Sequence, residues 1–293
     1  MTYCVAICLS DGLVFLADTR TNAGVDDVGT FRKMSVFSNN KDRIFTLLSS
    51  GNLAITQSVR EILNQGHKFH GTNLWNAKNS HEAAMVVGEA VRKVHDRDHQ
   101  FLESAGIEFN CNLIFGGQVG NERPRLFNIY SAGNFIEATP ETCFFQIGES
   151  KYGKPILDRV ITFDTPLNLA TKCALISMDS TLNSNISVGL PLDLMVYEKN
   201  SLQASKLVTM DESNPYFQMI HQLWGEKLRS AFNSIAEPSW SGATPSRSIA
   251  LPAKKMGAVP VHRASKAVKK VAAPVKTAAK TSPKKKVVTK SKR

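Results

Sequence analysis

Thr2, the second residue of the chain, carries a hydroxyl that could serve as a nucleophile. Because threonine is small, methionine aminopeptidase can remove Met1 and leave Thr2 with a free α-amine beside that hydroxyl. The pKa of a free α-amine is about 8, so at neutral pH a fraction of the amine is uncharged and can accept the hydroxyl proton. One residue would then supply both nucleophile and base. Many cytosolic proteins begin with Met-Thr, so other residues must support this hypothesis.

Two charged residues, Asp18 and Lys33, are candidates for that support. A tight turn between the first two strands would bring Asp18 back beside Thr2, and a loop over 21–30 can return Lys33 to the same end. A lysine buried there would lower the pKa of the Thr2 amine and hydroxyl, and Asp18 would keep that lysine charged and oriented. Taken singly, each charge is more typical of a solvated turn residue.

The pattern of apolar residues predicts the elements that position these groups. Runs rich in β-forming residues predict a strand that starts within 31–34 and further strands over 3–9, 13–19, 43–48, 109–115, 125–130, 135–138 and 192–197. Spacings of three and four between apolar residues predict helices over 52–63, 81–102, 154–161, 167–177 and 214–232. Turns are expected at Ser10-Asp11-Gly12, Gly116-Gly117 and Ala132-Gly133, and Ser80 is the expected N-cap of the second helix.

These elements come in blocks of strands and blocks of helices. A doubly wound parallel sheet would alternate them one by one, so the order favours an α+β fold. Two sheets packed between two layers of helices, a four-layer αββα sandwich, would suit this order. We expect this domain to span residues 1–236.

Length and composition indicate an enzyme-sized globular protein. The chain has 293 residues, 42% of them apolar, and its apolar runs fall short of the roughly 18 residues that a membrane-spanning helix needs. The first apolar run does not follow a basic segment of the kind that secretory signals carry. The five cysteines lack CxxC spacing, which is typical of reduced, buried thiols. We therefore expect a cytoplasmic protein without a membrane partner.

The C-terminal segment differs from the rest in composition. Residues 237–293 form a linker and a tail rich in Lys, Ala and Pro, and 247–293 contain 15 Lys and Arg and no acidic residue. Since the net charge of the whole chain is +11, the part before 247 has a net charge of about −4. Such a tail buries too little apolar surface to fold, so we expect disorder. It either binds nucleic acid without sequence preference or acts as a solubilising extension.

Two other patterns suggest ligands but favour simpler interpretations. His95 and His99 lie one helical turn apart, a spacing that can hold a metal, yet their charged neighbours are more typical of a solvated helix face. The glycine-rich stretch 116–120 follows a strand, and no predicted helix opens after it, so a phosphate cradle is not expected. We expect neither a metal nor an organic cofactor.

Several motifs together resemble the proteasome β-subunits and, more closely, Anbu, the bacterial ancestral β-subunit family. The motifs are Thr2 followed by x-Cys-Val-Ala-Ile, Asp11-Gly12, Ala17-Asp18-Thr19-Arg20, Phe31-Arg32-Lys33-Met34, SGNLAITQ at 50–57, IGESKYGKP at 147–155 and SNISVGLP at 184–191. The combination is specific although no single motif is, and it covers roughly residues 2–236. The resemblance also implies that no propeptide has to be removed.

The resemblance implies a role for each residue near the N-terminus. Thr2 would be the nucleophile, Lys33 the group that tunes it, and Asp18 the partner of Lys33. The backbone N–H of Gly51 would bind the oxyanion, which suits a glycine that opens a helix, where amide donors are unpaired.

Proteasome subunits also place a serine and an Asp-x-x-Ser element near the nucleophile. The candidates here are Ser150, Asp179 and Ser187. Eight residues separate Asp179 from Ser187, and Ser184 occupies the position three before Ser187, so this element departs from the family pattern.

The resemblance further implies a self-compartmentalising threonine-type hydrolase that forms homo-oligomeric rings or open helical rings. Its expected substrates are peptides or proteins. Two other functions stay open: an oligomeric scaffold or binding chamber with weak or no hydrolysis, and a nucleic-acid binder that acts through the tail. The set of Thr2, Asp18 and Lys33 favours the hydrolase, because an idle site has no physical need of a charged pair.

Overall fold

Two five-stranded antiparallel sheets, a two-stranded ribbon and five helices form the part of the chain that a computed structural model describes, residues 2–22, 28–39 and 41–238. The strands are β1 Tyr3–Leu9, β2 Gly12–Asp18, β3 Arg20–Asn22, β4 Val28–Thr30, β5 Met34–Ser38, β6 Arg43–Gly51, β7 Cys111–Val119, β8 Arg125–Ile129, β9 Phe135–Glu137, β10 Phe144–Gly148, β11 Leu192–Glu198 and β12 Lys206–Met210. The helices are α1 Leu53–Asn64, α2 Ser80–Ser104, α3 Lys154–Val160, α4 Leu167–Ser184 and α5 Pro215–Ser234.

The N-terminal hairpin of β1 and β2 lies inside the first sheet, whose strand order is β10-β1-β2-β11-β12. All residues of both strands are buried. This is possible because side chains alternate between the two faces of a sheet and both faces are covered here. Tyr3 and Val5 enter one apolar cluster, whereas Cys4 and Ala6 enter another.

Three apolar clusters hold the elements together. One joins the first sheet to α3, α4 and α5, through side chains such as Leu16, Leu157 and Phe217. Another joins the second sheet, in the order β5-β6-β7-β8-β9, to α1 and α2. The third lies between the two sheets. The combination of antiparallel sheets and covering helices confirms the predicted α+β class.

Every predicted strand and helix is present, with ends that differ from the prediction by a few residues. The largest differences are α4, which continues beyond residue 177 to Ser184, and β7, which continues beyond 115 to Val119. The pattern did not predict β3, β4, β10 or β12. Of these, β10 matters most, because it pairs with β1 and ends at Gly148, opposite Tyr3.

The prediction of a turn at Gly116-Gly117 is wrong, because both glycines lie inside β7. They are required there by close packing and not by a turn. A Cβ at Gly117 would lie 2.0 Å from the carbonyl oxygen of Ile44, and one at Gly116 would lie 2.9 Å from the carbonyl oxygen of Arg125. Glycine therefore marks a close backbone approach inside a strand.

The predicted N-cap of α2 is also wrong. Asn79 caps the helix, since its side-chain oxygen accepts a hydrogen bond from the amide of Glu82 at 2.9 Å. Ser80 is the first helical residue, and its amide donates to Glu122 at 2.8 Å.

All five cysteines are buried and unpaired. Burial raises the pKa of the Cys111 thiol to about 12, so this thiol stays protonated at neutral pH and is a poor nucleophile. Among the described residues, no helix is long and apolar enough to cross a membrane.

Candidate active site

The candidate site lies where β1 begins and β2 and β10 end. Thr2 directly precedes β1, and its carbonyl oxygen accepts a hydrogen bond from the amide of Glu149 at 2.6 Å. Gly148 has a φ of 82°, and a Cβ at that position would lie 2.0 Å from the Thr2 carbonyl oxygen. Only glycine therefore lets β10 hold the backbone of Thr2 this closely.

The neighbouring Tyr3 anchors the same end of β1 from the other face of the sheet. Its hydroxyl is fully buried, lies 2.5 Å from the Ser177 hydroxyl, and accepts a hydrogen bond from the Gln146 side chain at 2.7 Å. These contacts to α4 and β10 fix the direction in which β1 presents Thr2.

Asp18 and Lys33 form a buried ion pair beside this strand end. The Lys33 ammonium donates to the Asp18 carboxylate at 2.7 Å, and the two side chains are 7% and 0% exposed. The same carboxylate oxygen accepts the amide of Tyr3 at 3.0 Å, and Lys33 also donates to the backbone carbonyl of Arg20. The pairing of β1 with β2 thus brings Asp18 next to the residue that follows Thr2, as the sequence predicts.

Burial raises the pKa of Asp18 above its ordinary value. The Lys33 charge opposes this rise, as do the backbone amides of Tyr3 and Gly189, which donate to the two carboxylate oxygens. Asp18 therefore depends on its positive partner and its two amide donors to remain ionised inside the protein.

Gly51 ends β6 and faces the same space as Thr2. It has a φ of 113°, and a Cβ there would lie 2.3 Å from the Asn110 carbonyl oxygen. The helix begins at Leu53 with Asn52 as N-cap, so Gly51 lies just before the cap and does not itself open the helix. Gly51 and Thr2 line the same two adjoining cavities. This agrees with the expectation that the two residues lie close together.

The Ser187 backbone is linked to Thr2 through Asn185 and Glu149, and Ser150 directly follows Glu149 in the chain; neither serine lines the two cavities beside Thr2. Glu149 follows β10, is 7% exposed, and accepts the side-chain amide of Asn185 at 3.0 Å. The side-chain oxygen of Asn185 in turn accepts the amide of Ser187 at 3.0 Å. Because Glu149 also donates its backbone amide to Thr2, a buried polar chain connects both loops to the start of β1.

The loop that carries Ser187 is held against the end of β2. Arg20 donates to the Ile186 carbonyl at 2.9 Å, and the amide of Gly189 donates to Asp18 at 3.3 Å. A Cβ at Gly189 would lie 2.1 Å from the Arg20 guanidinium. Arg20 and the glycine therefore position this loop together.

Asp179 is not brought to this group by its contacts. It is buried on α4, where one carboxylate oxygen lies 2.7 Å from Nδ1 of His221 on α5 and the other accepts the side-chain amide of Asn183 at 3.3 Å. Burial raises its pKa, and the contact with His221 opposes the rise. Glu149, the residue after the glycine in IGESKYGKP, instead contacts Thr2 through its backbone amide.

His95 and His99 stack on each other, with ring centroids 4.8 Å apart and an angle of 5° between the planes. His99 Nδ1 lies 3.0 Å from the carbonyl oxygen of His95. No group of three or more His, Cys, Asp or Glu side chains within the described ranges is placed to hold a metal ion.

Comparison with solved structures identifies the family. A structure of Anbu, the ancestral β-subunit, from Yersinia bercovieri is 52% identical with a TM-score of 0.75, over 81% of this chain and 99% of that chain. The chain belongs to the Anbu family. A mutant Anbu from Hyphomicrobium sp. strain MC1 is 48% identical with a TM-score of 0.76, over 82% of this chain and 100% of that one.

A third Anbu structure shows an assembly. The helical assembly of the Anbu complex from Pseudomonas aeruginosa is 44% identical with a TM-score of 0.77, over 82% of this chain and 100% of that chain. No family model matches this chain, and neither does any curated protein.

Proposed function

We propose that this chain is a threonine-type amide hydrolase, a proteasome-like N-terminal-nucleophile enzyme whose nucleophile is Thr2 after removal of Met1. The observation that carries the proposal is the buried Lys33–Asp18 pair at the end of the hairpin that Thr2 starts. Burial of an ion pair costs desolvation free energy, and this cost offsets much of the attraction between the two charges. The pair is therefore not explained by added stability alone. Its place beside a hydroxyl and a cavity therefore favours a catalytic role.

In the proposed reaction, the α-amine of Thr2 accepts the hydroxyl proton through a water molecule as the hydroxyl oxygen bonds to the amide carbonyl carbon. The proton then passes to the leaving amine while the C–N bond breaks, which leaves an ester on Thr2. A second water hydrolyses the ester and restores the hydroxyl. The positive charge of Lys33 favours the uncharged amine, and Asp18 holds that charge in place.

Other residues complete the proposed site. We assign oxyanion binding to the backbone N–H of Gly51, because this glycine shares both cavities with Thr2. Ser150 and Ser187 are proposed to support the amine and its water from the two loops that Glu149 links to Thr2. Peptides or proteins are the proposed substrates, and the steps use protein groups and water alone.

Mass spectrometry of the intact protein tests the nucleophile. The purified full chain is incubated with and without a peptide epoxyketone or a β-lactone, and the adduct is mapped. We expect loss of Met1 and one adduct on Thr2, and no adduct on the Thr2→Ala variant. Retained Met1 without an adduct would favour the oligomeric scaffold with an idle site.

We also propose a layered domain that assembles with copies of itself. The three apolar clusters support a four-layer αββα sandwich within residues 1–236. The helical assembly of the relative from Pseudomonas aeruginosa supports a ring or open helical ring here. A face of α5 fits such a contact, since Leu228 and Phe232 are 50% and 62% exposed.

The basic tail, 247–293, and most of the linker before it lie outside the described residues. We propose that the tail contacts nucleic acid through phosphate charge, since it holds 15 Lys and Arg and no acid. Deletion of 247–293 should abolish binding of the chain to duplex DNA and leave hydrolysis intact. DNA binding that persists at moderate salt after the deletion would refute this role.

A further inference from the structure

The cavity beside Thr2 has a strongly basic wall. On one side lies α1, which presents Leu53, Gln57 and Arg60 to the cavity at spacings of three and four residues. Thr21 and Arg32 also line the cavity. None of the described residues that line this cavity is acidic, and Lys33 at its base already has Asp18 as partner.

Several donors in this wall are unused. Within the described ranges, Arg60 and Gln57 make no side-chain hydrogen bond and no ion pair, although both are half-buried. The hydroxyl of Thr21 is buried and has no hydrogen-bond partner among those residues. Arg32 has one long contact, 3.4 Å to the Thr209 hydroxyl. The half-buried guanidinium of Arg60, which has no partner among the described residues, is arranged to receive an acceptor from outside the domain.

We infer that this cavity receives an acidic side chain of the substrate, so that the enzyme cleaves after glutamate or aspartate. The inference rests on the proposed function, because the cavity adjoins the hydroxyl that would attack the carbonyl of that same residue. A carboxylate would accept hydrogen bonds from Arg60 and would meet the net positive charge of the wall. A glutamine side chain lacks the negative charge that the arginines attract. A lysine side chain would be repelled by Arg32 and Arg60.

Hydrolysis of four fluorogenic tetrapeptides, which differ only in Glu, Gln, Leu or Lys before the cleaved bond, measures this preference. Charged hydrogen bonds contribute about 1.5–3 kcal/mol, so kcat/KM for Glu should exceed that for Gln by roughly 10- to 100-fold. Arg60→Gln should reduce this ratio to below roughly threefold, and Arg60→Lys should retain part of it. The matched control Arg159→Gln removes an exposed arginine of α3, outside the cavity, and should leave the ratio unchanged.

A binding measurement separates this inference from the hydrolytic function. The Thr2→Ala variant of the full chain, which lacks the nucleophile, is titrated calorimetrically with acetylated tetrapeptides ending in Glu or in Gln. Tighter binding of the Glu peptide, lost in Thr2→Ala with Arg60→Gln, supports the inference even where the wild-type chain cleaves no peptide. Equal binding of the two peptides, binding of neither, or faster cleavage after Leu overturns it even where hydrolysis is established.

Discussion

A substitution at Asp18 should change both the hydrolytic activity and the stability of the protein. Asp18→Asn keeps the shape of the side chain but leaves the Lys33 ammonium buried without a counter-charge. Loss of one partner from a buried pair costs about 3–5 kcal/mol of unfolding free energy. We expect hydrolysis to fall by roughly 100-fold as well, because the oriented charge that tunes Thr2 is disturbed. Urea unfolding and kcat on one peptide measure the two effects.

Asp158 provides the control at the surface. It pairs with Lys154 at 2.6 Å, and the side chains of Lys154 and Asp158 are 54% and 46% exposed. Ion pairs of exposed side chains contribute about 0–1 kcal/mol, so Asp158→Asn should change stability slightly and activity not at all. If Asp18→Asn and Asp158→Asn behave alike, the buried pair has no special role.

Among the elements, β7 contains a glycine, Gly117, that close packing against β6 requires and that does not mark a turn. A methyl group at Gly117 would overlap the backbone of β6 at Ile44, and β6 has no room to move between β5 and β7. We expect Gly117→Ala to cost about 3 kcal/mol or more of unfolding free energy, measured by urea titration. Gly120→Ala is the control, because its Cβ meets open space and only the positive φ of 53° opposes it, at about 1–2 kcal/mol. Equal costs at the two positions would contradict this account.

The helix pair α4 and α5 should respond to pH through Asp179. Burial raises the pKa of Asp179 in the folded protein, so the folded state holds this proton to a higher pH than the unfolded chain does. The contribution of Asp179 is therefore fully present below about pH 4 and is lost as pH rises through the folded pKa. Asp179→Asn removes this titration and can keep the contact with Nδ1 of His221.

The measurement is the urea midpoint of unfolding between pH 4 and pH 7. The difference in stability between Asp179→Asn and the wild-type chain should shift in favour of the variant as pH increases. The control is Asp164→Asn, which removes an exposed carboxylate outside the contact of α4 with α5. A constant difference for Asp179→Asn would mean that His221 fully compensates the buried charge.

The elements that the sequence predicts are those with a clear local pattern. The hairpin of β1 and β2 alternates between two apolar clusters and is closed by Ser10-Asp11-Gly12, so its ends, and with them Asp18, follow from local residues. In contrast, β10 is a short edge strand whose pairing with β1 depends on distant residues. For the same reason local residues do not predict the contacts of Glu149, and Asp179, a candidate that the family resemblance implies despite its unusual spacing to Ser187, contacts the distant His221.

At the scale of the whole molecule, the second half of α5 exposes large apolar side chains that a partner could cover. From Gln222 to the end of the helix no described residue is buried, yet Leu228 and Phe232 share one face at a spacing of four and are 50% and 62% exposed. Contiguous exposed apolar side chains mark protein interaction sites. A second copy of the chain is the partner that the proposed assembly supplies.

Leu228→Glu combined with Phe232→Glu should therefore convert the assembled protein to smaller species that keep the fold, because neither side chain contributes to the core. Light scattering after size exclusion measures the mass. Ser230→Glu with Asn233→Glu adds the same charge to the opposite side of α5, where both positions are exposed, and should leave the assembly intact. A specific interface is disrupted by charge on the contacting face and not by charge elsewhere on the helix. If the first variant stays assembled or the second dissociates, the face that carries Leu228 is therefore not the contact.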